Sequence, residues 1–193
     1  MRATFFHRVS EALAMPQLAF LCLILLAASH GAVQAIRPAV TTPSPTPTGI
    51  LPAASQEYLD AHNEARAEVG VGPLRWSQAL ANQSSRLVRY QRDKMACEFA
   101  NLSNSKYGGN QMIATGQVMS PRAIVEDWVE EKRFYNHTDN SCAPNKQCGA
   151  YTQVVWKTSM ELGCAQATCV KSKTSLTICF YNPPGNFVGE SPY

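Results

Sequence analysis

Two side chains of this sequence could form a site together. His62 falls within the apolar series Tyr58, His62, Ala65 and Val69, whose i, i+4, i+7 and i+11 spacing places it on one face of a helix. Glu131 ends the acidic run Glu126, Asp127, Glu130, Glu131 on a later helical stretch. An imidazole and a carboxylate meeting in a cleft between helices can exchange a proton or supply part of a cation's ligand set. On spacing alone, a buried histidine satisfied by a hydrogen bond and a solvated acidic face are the commoner arrangement. There is no Gly-x-Ser-x-Gly and no His-Glu-x-x-His, which removes common hydrolase routes.

The elements that must carry these residues can be read coarsely. A helix from Ser55 as its cap through Val69 carries His62, and Gly70 and Gly72 stop it. Ser77 opens a second helix through about Lys94, with Leu80, Leu87 and Val88 as its apolar stripe. Ser120 followed by Pro121 caps a third, which carries Glu131 and runs through about Phe134. Strand-like runs are short: Gln111–Ala114, Leu162–Val170 and Leu176–Tyr181. The pattern predicts an α+β fold, with helices covering the faces of a small antiparallel sheet.

The chain has 193 residues and seven cysteines. Arg2 and Arg8 precede an apolar run from Leu18 to Ala28, followed by Val33-Gln34-Ala35, so residues 1–35 read as a secretory signal peptide cleaved after Ala35. The run is too short to cross a bilayer, and no transmembrane segment is expected. Cleavage removes Cys22 and leaves six cysteines, an even number in an oxidising compartment, which implies three disulfides. Cys142 and Cys148 bracket a polar loop suited to a local bridge worth about 2 kcal/mol. Cys97, Cys164, Cys169 and Cys179 remain for longer bridges. One from Cys97 to Cys169 would tie the second helix to the late strands and contribute about 4 kcal/mol. None of the spacings is Cys-x-x-Cys, so metal binding by these thiols is disfavoured.

Residues 36–55 hold five prolines among serines and threonines, a composition that favours an extended spacer, suited to O-glycosylation and contact with a cell wall. The folded domain spans 56–193. Only 16% of the chain is charged, against a typical value of about 25%. The formal charge is +3, and Lys/Arg runs never exceed two, so the footprint of a nucleic-acid partner is lacking. Three sequons, at Asn82, Asn101 and Asn136, offer glycan sites that would hydrate a surface poor in charge.

Four segments carry a resemblance: His62-Asn63-Glu64-Ala65-Arg66, Val71-Gly72-Pro73-Leu74-Arg75-Trp76, Cys148-Gly149-Ala150-Tyr151-Thr152-Gln153-Val154-Val155-Trp156 and Cys179-Phe180-Tyr181-Asn182-Pro183-Pro184-Gly185-Asn186. Together they resemble the plant pathogenesis-related class 1 proteins of the CAP superfamily (cysteine-rich secretory proteins, antigen 5 and pathogenesis-related 1), over about Gln56 to Tyr193. The segments from Glu161 to Cys169 and from Leu176 to Tyr181 look most similar to the pistil-expressed branch. The resemblance implies a three-layer α-β-α sandwich and bridges pairing Cys97 with Cys169, Cys142 with Cys148 and Cys164 with Cys179.

It further implies a central cleft in which two histidines and two glutamates hold a divalent cation. His62 and Glu131 match two of the four positions, whereas Gly109 and Ala150 stand at the other two, so neither a metal cofactor nor a cation-dependent activity is expected here. What remains is a secreted, monomeric, defence-type protein that is not an enzyme, resembling relatives that bind sterols or other lipids. The last eleven residues, Pro183 to Tyr193, match the family's released signalling peptide, which places cleavage between Asn182 and Pro183, although Phe180 departs from the family's Asn at that junction. The rival readings are a metal-dependent hydrolase centred on His62 and Glu131, and a wall-interacting module working through the linker.

Overall fold

A computed structural model describes residues 51–193; the expected signal peptide and most of the linker, residues 36–50, lie outside the described residues. In chain order the elements are α1 (Ala53–Glu68), β1 (Arg75–Trp76), α2 (Gln78–Lys94), β2 (Gly108–Thr115), α3 (Pro121–Glu130), a 3-10 turn at Glu131–Phe134, β3 (Tyr135–Asn136), β4 (Ser141–Cys142), α4 (Gly149–Val154), β5 (Glu161–Cys169) and β6 (Thr174–Asn182).

The fold is built around β6. Its residues Ser175 to Tyr181 are all buried, the signature of a strand covered on both faces. The main sheet runs β1-β5-β6-β2. On one face α1, α3 and α4 pack over Tyr58, Leu74, Ile124, Val125, Trp128, Val154, Leu162 and Tyr181. On the other, α2 closes over Leu80, Val88, Leu176, Ile178 and Phe180. Helices thus cover both faces, giving the α-β-α sandwich. The β5–β6 and β6–β2 pairs are antiparallel, but the sheet is mixed, because Arg75 and Trp76 join β5 in parallel. The physical reason is the path of the chain: Arg75 N and Ser77 N donate to Met160 O and Leu162 O as the chain passes straight from β1 into α2.

Local chemistry explains the element ends, with some shifts from the expected boundaries. α1 begins at Ala53 rather than at Ser55, with Pro52 at its cap position, where a missing N–H costs nothing. It ends at Glu68, and Gly70, just past the C-cap Val69, has a φ of 72°, the left-handed conformation that glycine adopts without strain. Ser120 caps α3, its Oγ accepting from Ala123 N at 3.2 Å. α3 stops at Glu130, and the 3-10 turn completes the stretch expected to be helical to Phe134. α2 lies unusually close to β5, because a Cβ on Gly163 would run into the backbone of Leu80 and Ala81. Ser84 Oγ fastens this approach by donating to Gly163 O at 2.7 Å.

Three bridges staple the fold: Cys97–Cys169 joins the segment just after α2 to the end of β5 and so ties two layers, Cys164–Cys179 crosses the β5–β6 pair within the sheet, and Cys142–Cys148 closes the loop between β4 and α4. Among the described residues, no helix is long and apolar enough to cross a membrane.

Candidate functional site

α1 delivers His62 into the core rather than to a surface. The ring is fully buried, and both of its nitrogens are engaged. Nδ1 lies 2.7 Å from the carbonyl oxygen of Tyr58. A carbonyl can only accept, so Nδ1 carries the proton and Nε2 holds the lone pair. That lone pair lies 2.7 Å from the Tyr181 hydroxyl, which donates to it. The Tyr181 oxygen in turn accepts from Asn110 Nδ2 at 3.1 Å, and the same amide donates to Ala150 O at 3.0 Å. Asn110, Tyr181, His62 and Tyr58 thus form one polar chain through the interior. Burial pushes the His62 pKa down to about 4, because an imidazolium there would lose its hydration. Burial also raises the Tyr181 phenol well above its ordinary value, so both groups are neutral.

Glu131, on the 3-10 turn after α3, is half-buried. Its Oε2 accepts from the backbone N–H groups of Ala150 and Tyr151 at 2.8 and 3.1 Å, tying the first turn of α4 to α3. Beside it opens a cleft of about 450 Å³, lined by Gln111, Met112, Asp127, Trp128, Glu131, Gln147, Cys148, Gly149 and Ala150. Ala150 therefore faces the cleft, leaving space where an imidazole would stand. Gly109 does not: a Cβ built on it would sit 2.6 Å from Leu102 Cδ1 and 3.6 Å from Phe180, on the α2 side of the sheet. The four positions His62, Glu131, Gly109 and Ala150 are therefore not brought together around one point.

The residues present do not fit a divalent cation. The only imidazole lone pair among the four positions is consumed by Tyr181, and one oxygen of Glu131, Oε2, is held by two backbone donors. Among the described residues, no group of three His, Cys, Asp or Glu side chains could hold a metal ion.

Arg66, one helical turn beyond His62 on the same face, went unrecognised in the sequence. It is buried without a carboxylate partner. Its Nε donates to Gly72 O at 2.7 Å, Nη1 to Val154 O and Trp156 O at 3.0 and 2.8 Å, and Nη2 to Ser159 O at 3.0 Å. The guanidinium satisfies carbonyls at the end of α4 and in the segment before β5, which suits the negative end of a helix. Burial lowers its pKa to about 10, leaving it charged at neutral pH. The signal for it was a charged residue inside the apolar stripe of α1. For Tyr181 and Asn110 no sequence signal existed, since their partners lie on other strands and helices.

The three sequon asparagines are all exposed. Asn101 and Asn136, the last residue of β3, each close the turn that follows with their own side chains, accepting from Ser103 N and Thr138 N at 3.0 Å. Asn82 lies inside α2, and the serine of its sequon, Ser84, is buried.

The segment after β6 is held against the body. Asn182 Nδ2 donates to Glu161 Oε2 at 2.8 Å, Ser159 Oγ donates to Pro183 O at 2.8 Å, and Lys157 N donates to Pro192 O at 2.7 Å. The terminal Tyr193 stacks on His137, ring centroids 4.3 Å apart, and its hydroxyl lies 3.1 Å from that of Tyr151.

A three-layer sandwich stapled by three bridges, with a cleft between α3 and α4, is the architecture of the CAP proteins, and the chain belongs to the cysteine-rich secretory protein family, whose pattern matches residues 59–181. Within that family it groups with the plant pathogenesis-related class 1 proteins. It is 64% identical over 140 residues to the STS14 protein of Solanum tuberosum, covering 72% of this chain and 65% of that one. It is 44% identical over 140 residues to pathogenesis-related protein 1B of Nicotiana tabacum, covering 72% and 80%. The chain thus spans slightly less than two thirds of the potato relative. Among solved structures, venom allergen-like protein 4 of Schistosoma mansoni superposes with a TM-score of 0.58 at 27% identity, over 74% of this chain and 95% of that one. NaASP2, solved with Zn2+, superposes with a TM-score of 0.58 at 18% identity over 77% and 88%, a likeness of fold alone.

Proposed function

We propose that this protein is a secreted, defence-type pathogenesis-related protein that works in the extracellular space by binding rather than by catalysis. The observation that carries this reading is the state of His62: its one lone pair accepts from Tyr181 inside the core, so the cleft receives no imidazole, either as a general base or as a metal ligand. Six cysteines paired in three bridges favour an oxidising compartment. The ligand class is a sterol or related lipid. Met112, Trp128 and Ala150 give the cleft an apolar wall, and Gln111 and Gln147 offer polar groups to a sterol hydroxyl. A sterol-binding assay on the purified protein tests this with and without zinc or magnesium, and the expected result is saturable binding unaffected by chelation. Absence of binding, or binding that requires the metal, overturns the reading. Calorimetry supplies a separate check on the metal: no tight zinc uptake is expected, and tight uptake abolished in His62→Ala would restore the hydrolase reading.

A second property follows from the C-terminal segment. Asn186 to Glu190 are exposed and no cysteine lies beyond Cys179, so the segment from Pro183 can leave once its anchors at Ser159, Lys157 and Tyr151 open. The protein is on this view a precursor cleaved between Asn182 and Pro183. Mass spectrometry of extracellular fluid tests it, with a peptide beginning at Pro183 expected after challenge; a C-terminus intact under every condition refutes it.

A further inference from the structure

The surface opposite the cleft carries features that neither the metal question nor the lipid reading uses. Charge is divided between the two helical layers. α1 bears four acidic side chains and one arginine, which is buried, and α3 bears three acidic side chains and Arg122. α2, on the other face of the sheet, bears Arg86, Arg89, Arg92 and Lys94 against Asp93 alone. Arg92 is taken up by Asp93 at 2.7 Å. Among the described residues, Arg86, Arg89, Lys94 and the nearby Lys106 have no carboxylate within ion-pair distance.

Two of these free cations stand on the rims of a groove of about 440 Å³ between α2 and the segment leading into β2. Arg86 lies on one side and Lys106 on the other. Leu87, Tyr90 and Tyr107 line the walls, Phe180 lies at the base, and Gln83 and Ser105 add polar groups. Tyr90 is 55% exposed, a large ring left in water on a helix that packs its other face well. Tyr107 is braced at an angle against Phe180, centroids 5.7 Å apart, and Lys106 Nζ sits 4.9 Å above its ring. Gln83, Arg86, Leu87, Tyr90 and Lys94 recur at helical spacing along one side of α2, a stripe of about 16 Å.

We propose that this groove binds an acidic polysaccharide, a chain of linked uronate rings. Such a polymer has two chemical faces. Its rings present flat patches of C–H groups, which stack on exposed aromatic rings, and each ring carries a carboxylate and hydroxyls at its edge. Tyr90 and Tyr107 match the C–H faces, Arg86 and Lys106 the carboxylates, and Gln83 and Ser105 the hydroxyls. Lys94 continues the positive potential along the stripe beyond Arg86 and Lys106. The acidic layer on the far side of the sheet repels the same polymer and so orients the protein on it. A fatty acyl chain fits less well, because Leu87 is the sole aliphatic residue in the lining and the polar groups at the ends would be dehydrated without partners. The inference does not depend on the cleft or on a sterol.

The test is binding of the purified protein to sodium polygalacturonate, with a neutral galactan and phosphatidylserine vesicles as alternative probes. Saturable binding to polygalacturonate is expected at low ionic strength, weakening strongly as salt is raised, with little binding to the galactan. Arg86→Gln with Lys106→Gln should lower the apparent affinity by roughly tenfold. Tyr90→Ala, which leaves the charge unchanged, should lower it by about fivefold. The control is Arg133→Gln with Lys146→Gln, which removes the same charge around Phe134, outside the groove, and should change the affinity by less than about twofold. Because all these side chains are exposed or flank an open groove, unchanged circular dichroism and melting temperature verify each fold. The proposal is overturned by equal losses in the groove and control variants, by no effect of Tyr90→Ala, by equal binding to the galactan, or by binding confined to the vesicles.

Discussion

His62 enters the core with one proton and one lone pair to place, and Tyr58 O and the Tyr181 hydroxyl take one each. A third demand, a second proton, has no acceptor there. The folded pKa of about 4 lies below the ordinary histidine value of about 6.5, so the unfolded chain binds more protons between these limits. Stability from this residue is therefore complete above about pH 6.5 and is lost as the pH falls toward 4, by up to about 3 kcal/mol. Urea titrations across that interval should show the decline, and His62→Gln should flatten it while lowering stability at pH 7 by about 2 kcal/mol or more. Arg66 makes a parallel prediction: Arg66→Ala strands four carbonyls and should cost at least about 3 kcal/mol in the same measurement. Substituting Gly109→Glu together with Ala150→His should not produce a zinc site in calorimetry, because position 109 faces Leu102 and Phe180 and the His62 lone pair remains with Tyr181. At the surface, enzymatic deglycosylation should remove two glycans, from Asn101 and Asn136, since Asn82 lies in α2 with its sequon serine buried against Gly163.

The elements owe their arrangement to a few fixed crossings. Gly163 lets α2 lie against β5, and the Cys97–Cys169 bridge, spanning 72 positions, anchors the far end of the same helix. Replacing both cysteines with alanine should lower the unfolding free energy by about 4 kcal/mol, against about 2 kcal/mol for the six-residue Cys142–Cys148 loop, both read from denaturant midpoints. The three long helices and the three main strands were legible before the fold was known, because an amphipathic period and a capping residue are local properties. β1, the β3–β4 hairpin and α4 were not. Two-residue strands and a six-residue helix are too short for periodicity to register, and they exist because neighbours supply their partners, as Met160 does for Arg75 and Glu131 for Ala150. The parallel pairing of β1 belongs to the same group, since direction within a sheet is set by the path of the chain between elements.

At the scale of the whole molecule, the terminus and the charge distribution complete the picture. Residues beyond Pro183 form a strap whose end is stacked on His137 and hydrogen-bonded through Pro192. Truncation after Asn182 should leave a folded domain but lower its melting temperature by several degrees, with scanning calorimetry as the readout, because the strap covers Trp156 and Tyr151 without contributing a strand. Charge segregation arises from the sandwich itself: the sheet separates acidic α1 and α3 from basic α2, so a sequence that is nearly neutral overall becomes a protein with two unlike faces. By itself the sequence determined the family, the main elements and the supply of six cysteines, all carried by residue type and short-range spacing. Only the tertiary structure decided that His62 is a core residue rather than a ligand, that Gly109 faces away from the cleft, that Arg66 holds α4, and that Arg86 and Lys106 flank one groove. Each of these depends on a partner distant in the chain, and long-range proximity is fixed by packing, which no local pattern encodes.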